Sequence, residues 1–141
     1  MSGIKQGSHV AIDCSAAGII SYQHHAIYVG KQTTIDGKET VLCVVERSQN
    51  GVHMVPYSEF RGRGHTVVVK SPKCFSKDEI VARALSRRRG GSNSADCAEY
   101  CLLTNNCEHF ANWCRSGNHV SPQLRENTAI RVIKAIAHFP F

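Results

Sequence analysis

The sequence predicts an α+β domain in which an antiparallel sheet is followed by about three helices. Two observations carry this prediction. The first half contains five short runs rich in β-branched residues, set apart by turn signals, and beyond Pro72 the pattern changes to helical spacing with a defined start. The chain has 141 residues, of which 42% are hydrophobic and 20% charged, so one core fits and two do not.

Residues 8–14, Ser-His-Val-Ala-Ile-Asp-Cys, alternate apolar with polar or small side chains, the period of a half-buried strand that Ala16-Ala17-Gly18 breaks. Further strands are expected at 25–29, 41–46, 52–55 and 65–70, separated by Asp36-Gly37, Asn50-Gly51 and Gly62-Arg63-Gly64. Asn50-Gly51 is the strongest hairpin signal among these. Ser76-Lys77-Asp78-Glu79 has the Ser-x-x-Glu form of a capping box, and Ile80, Val81, Ala84 and Leu85 follow at helical spacing until Gly90-Gly91. A second helix is expected at 95–103 and a third at 107–115, the latter with Gly117 as its C-terminal cap.

The start of the third helix holds the candidate chemistry. Thr104-Asn105-Asn106 are capping residue types, which puts Cys107 in the first turn, where unpaired amides and the helix dipole favour an anion. A thiolate there is a nucleophile, and the same amides suit an oxyanion. The base has to come from another element, and His24 or His25 on the second strand is the geometric choice. The bland alternative is a small buried cysteine and a hydrogen-bonded strand histidine.

The stretch His24-His25-Ala26-Ile27-Tyr28-Val29-Gly30 and the block Asn106-Cys107-Glu108-His109-Phe110 resemble the lecithin:retinol acyltransferase family, which includes the H-Ras-like suppressor group of phospholipases and acyltransferases. Supporting similarity runs over residues 5–117, including Tyr57-Ser58-Glu59-Phe60 before the last strand and Cys114-Arg115-Ser116-Gly117 after the thiol. The resemblance implies a circularly permuted papain-like fold. In it Cys107 is the nucleophile, His24 the base, and phospholipid esters the substrate, cleaved through a thioester on Cys107. Residues 1–120 then form the catalytic domain and 121–141 a tail. Asn106, Glu108 and His109 support the motif. Where the family carries a second histidine to orient the first, this chain has Val44-Val45-Glu46. A carboxylate can hold the imidazole tautomer, so Glu46 is the expected third member and His53 the second choice. His25, which replaces an aromatic residue of the family pattern, is expected to pack beside the sheet.

The chain is also similar to the H-box/NC proteins that some picornaviruses encode at the 2A position. That similarity implies a different class of function: a catalytically silent protein that serves replication by binding host proteins, membrane or RNA.

The remaining features set partners and place. The amino terminus lacks the apolar core of a secretory signal, so a cytoplasmic chain is expected, with most of its seven cysteines as free thiols. A formal charge of +6 favours anionic partners, here phospholipid and an anionic membrane surface. Residues 128–141 are too few to span a bilayer, which takes about 20 apolar residues. Wound as a helix they place Ile130, Val132, Ile133, Ile136 and Phe139 opposite Arg131, Lys134 and His138, which suits either an interfacial helix or a terminal helix packed on the domain. Arg61-Gly62-Arg63 and Arg87-Arg88-Arg89 lack aromatic interleaving, so they read as a solvated face or phosphate-attracting rim rather than a sequence-specific nucleic-acid site. Cys97, Cys101, Cys107, His109 and Cys114 lack a Cys-x-x-Cys knuckle, so neither a metal nor any other cofactor is expected.

Overall fold

The computed structural model describes residues 3–16, 20–33, 37–48, 51–88 and 107–117. Among the described residues it is an α+β arrangement of five strands and three helices: β1 (His9–Ala16), β2 (Ile20–Thr33), β3 (Thr40–Ser48), β4 (Gly51–Pro56), α1 (Tyr57–Arg61), β5 (Thr66–Val68), α2 (Lys77–Arg87) and α3 (Cys107–Ser116). The strands form one antiparallel sheet in the order β4-β3-β2-β1-β5.

Three elements depart from the sequence expectation. β2 runs for 14 residues rather than the five at 25–29, because β1 extends its pairing back to Ile20 and β3 extends it forward to Thr33. Tyr57-Ser58-Glu59-Phe60 form a short helix although no side chain caps it, since burial of Tyr57 and Phe60 holds the turn in place. β5 is only Thr66–Val68, as only three of its residues pair with β1. The β3–β4 hairpin sits one residue from its signal: Gly51 opens β4 opposite Ser48, and Asn50 lies outside the described residues. The helix expected at 95–103 and the tail from 121 also lie outside them.

The capping box is present, with Ser76 accepting the Glu79 amide at the start of α2. α3 closes at Gly117, whose φ of +82° is the left-handed conformation of a C-terminal cap and whose amide donates to the Trp113 carbonyl.

Both faces of the sheet are covered, and alternate residues of β2 serve both. Ile27 and Val29 join Cys43, Val45 and Val52 against Ile80 and Ala84 of α2 and Phe110, Ala111 and Cys114 of α3. Ala26 and Tyr28 face the other way, with Val10, Ile12 and Val44, against Tyr57 and Phe60 of α1. His9 through Ile12 of β1 are enclosed on both faces, so His9 and Ala11, at expected polar or small positions, lie under cover, whereas Asp13 is exposed as the alternation predicts. A buried histidine needs a hydrogen-bond partner, and His9 finds one on β2. Arg83 and Arg87 stack on Trp113 at 3.9 and 3.7 Å and stitch α2 to α3, which corrects the reading of Arg87 as part of a solvated rim.

Candidate active site

The site forms where β2 and β3 part. Their register ends at Ala26 opposite Glu46, whereas β2 continues back to Ile20 against β1 alone. At this opening the His25 amide donates to Sγ of Cys107 at 3.4 Å, with Cys107 as the first residue of α3 and only 4% exposed. Asn105 and Asn106, the expected cap, lie outside the described residues.

His24 approaches from the α1 face. Its ring is fully buried and stands 6.0 Å, centroid to centroid, from Phe60. Nε2 donates to Oε1 of Glu46 at 3.1 Å, and the ring is also coupled electrostatically to the Cys107 sulfur. Burial by itself would lower the affinity of this ring for a proton. The negative charge that the Cys107 sulfur can carry, followed by the hydrogen bond and charge of Glu46, outweighs that cost and pushes the His24 pKa up to about 9. Glu46, 7% exposed, shows the converse balance. Its burial would raise the carboxyl pKa, but hydrogen bonds and charge from His24 and then Arg63 lower it.

Arg63 contacts both carboxylate oxygens of Glu46 through Nη1, at 2.8 and 3.1 Å, and reaches Glu59 through Nη2 at 3.5 Å. The sequence reading put Arg63 in a solvated or phosphate-attracting patch, and the ion pair corrects it. The available signal was charge balance: a carboxylate beside a buried histidine calls for a second cation or donor. His53, the second-choice orienting residue, stands opposite Glu46 across β3–β4, one strand farther from His24.

Behind the thiol runs a second polar chain. Ser71 Oγ lies 2.9 Å from His9 Nδ1, His9 Nε2 lies 2.6 Å from His25 Nδ1, and His25 Nε2 lies 3.9 Å from Oε2 of Glu108. Burial, and then the positive charge of Arg115, lower the His9 pKa to about 3. His25 therefore does more than pack: it links β1 to the first turn of α3. His9 and Ser71 were not singled out in the sequence, where nothing marks a small or polar position on β1 as buried. His109 is buried on α3, while Asn106 lies outside the described residues. Cys43, Cys74, Cys107 and Cys114 are free thiols. Among the described residues no group of three or more His, Cys, Asp or Glu side chains could hold a metal ion, and no helix is long and apolar enough to cross a membrane.

In chemical terms the arrangement is a buried thiol, an imidazole whose pKa stands above its ordinary value and a carboxylate bonded to that ring, a set able to supply a nucleophile and a proton. The family model described as lecithin retinol acyltransferase matches residues 2–120. Lecithin retinol acyltransferase of Mus musculus is 41% identical over 49 residues, which cover 35% of this chain and 19% of that protein. The chain thus spans about a fifth of the length of this curated relative. No solved structure gives a significant match.

Proposed function

Because the chain belongs to the lecithin retinol acyltransferase family, we propose that it is a thiol-dependent acyltransferase or phospholipase A acting on ester-linked acyl groups of phospholipids. A single observation supports the site assignment most strongly: His24 is hydrogen-bonded to a buried Glu46 while the Cys107 sulfur acts on the same ring and raises its pKa. We read the sheet and its helices as the circularly permuted papain-like fold, with residues 1–120 as the catalytic domain and the tail beyond it.

The Cys107 thiolate attacks the ester carbonyl carbon, and the carbonyl oxygen takes up negative charge at an end of α3 rich in amide donors. As the tetrahedral intermediate collapses, the carbon–oxygen bond of the ester breaks and His24 gives its proton to the departing lysophospholipid oxygen. A thioester on Cys107 and a neutral His24 remain. Water or an amine then attacks the thioester, His24 takes the proton of this acceptor, and the acyl product leaves with the thiolate restored. Glu46 keeps the ring in one orientation through both halves. A lipid substrate and a net charge of +6 suit work at an anionic membrane surface, reached from the cytoplasm. Burial of Glu46 against His24 favours catalysis over the silent-scaffold alternative, in which nothing requires that carboxylate to be held.

The test is fatty-acid release from phosphatidylcholine micelles by purified protein and by Cys107→Ala. Release by the wild type alone is expected. Equal release from both, or none from either, overturns the reading.

A further inference from the structure

We propose that Arg63 is a positioning residue for the Cys107–His24–Glu46 site, clamping the Glu46 carboxylate so that one oxygen stays aimed at His24 and the extra negative charge is balanced. The inference rests on the catalytic reading of that site and extends it to a residue outside the motifs.

Three observations carry it. The first is contact geometry: Nη1 of Arg63 lies 2.8 Å from Oε1, the oxygen that also receives His24 Nε2, and 3.1 Å from Oε2. Rotation of the carboxylate away from the imidazole has to break these charge-assisted bonds. The second is how the turn carrying Arg63 is fixed. The Arg63 amide donates to Phe60 and the Gly64 amide to Arg61. Gly64 presses on β1 so closely that a Cβ there would stand 2.6 Å from the Asp13 carbonyl oxygen. The guanidinium is therefore delivered by backbone anchored at both α1 and β1, and its side chain is only 31% exposed.

The third is charge order. From the thiol outward stand Cys107 on α3, His24 on β2, Glu46 on β3, Arg63 after α1 and Glu59 on α1, alternating negative and positive when the thiol is ionised. His53 of β4 faces Glu46 across the strand pair. A carboxylate in the place of a neutral orienting group binds the proton of the imidazolium more tightly, and a proton held too tightly is slow to reach the leaving group. Arg63 draws part of that negative charge to itself.

The decisive experiment titrates the His24 ring by long-range ¹H–¹⁵N NMR in the full chain, a readout that needs no turnover. In Arg63→Gln the uncompensated Glu46 is expected to hold the His24 proton to higher pH, by about 0.5–1 unit. Arg63→Lys restores most of the wild-type titration. Arg63→Gln placed on Glu46→Gln shifts it no further, because the group through which Arg63 acts is gone. An unchanged His24 titration in a folded Arg63→Gln protein overturns the proposal, as does an equal shift with and without Glu46. If Arg63→Gln does not fold, Arg63→Lys and the double variant decide the same question. A wild type that shows the expected titrations but no lipid cleavage removes the catalytic reading and leaves the clamp standing.

Discussion

His24 and His25 are neighbours on one strand, equally buried, and they open onto two chains of polar groups with opposite character. On the α1 face, His24 lies between a sulfur and a carboxylate and is pushed up to about 9. On the helical face, His25 meets His9, a ring lowered to about 3 by burial and by Arg115. Burial opposes protonation in both. The partners decide the sign: two acids beside His24, against a hydroxyl, a second imidazole and a cation around His9. One chain holds a ring that keeps its proton well above the ordinary range, and the other ties β1, β2 and α3 through a ring that resists protonation.

The largest effect that can break this contrast is Cys107→Ala. It removes the proposed nucleophile and the main cause of the raised His24 pKa, so the proposed acyl transfer is expected to be lost and the His24 titration, read by NMR, to fall below its wild-type value. Glu46→Gln keeps the shape but exchanges the carboxylate for an amide. A fall in kcat/KM of about a hundredfold or more is expected in a micelle assay, with a His24 pKa below wild type.

The two chains also divide the pH dependence of stability. The folded-state pKa of His24 lies above its ordinary value, so its contribution is complete below about 6.5 and is lost as pH rises through about 9. Its size is on the order of 3 kcal/mol as an upper figure. His9 behaves oppositely: the unfolded chain takes a proton below about 6.5 and the folded one does not until about 3, so stability falls on acidification across that window. Urea denaturation from pH 4 to 9 should show greatest stability near pH 6.5 from these two groups, and His9→Asn should flatten the acid side alone. The smallest effect is Gly64→Ala. Its new Cβ meets the Asp13 carbonyl, and thermal unfolding should report a loss of about 1–3 kcal/mol.

Much of this was legible in the sequence, for identifiable reasons. Periodicity and turn pairs located the five strands, the Ser76 capping box located α2, and Gly117 located the end of α3, because each signal is local. Cys107 and His24 came from the two motif blocks and their resemblance, and Glu46 from the position at which the family carries a second histidine. Residues that act across elements were not legible. Arg63 looked like surface charge, since only the tertiary approach of the turn after α1 to β3 gives it Glu46. His9 looked like an exposed alternate position because its cover comes from elements distant in sequence. α1 has no cap and five residues, too little for periodicity to register.

The central claim is that Cys107, primed by His24 and Glu46, carries an acyl group. Its most direct test is peptide mass spectrometry of the protein quenched during incubation with phosphatidylcholine micelles. The account predicts an acyl group on the peptide bearing Cys107, accumulating in wild type, less in Glu46→Gln, and absent from Cys107→Ala. Fatty-acid release without that adduct, or release that persists in Cys107→Ala, contradicts it.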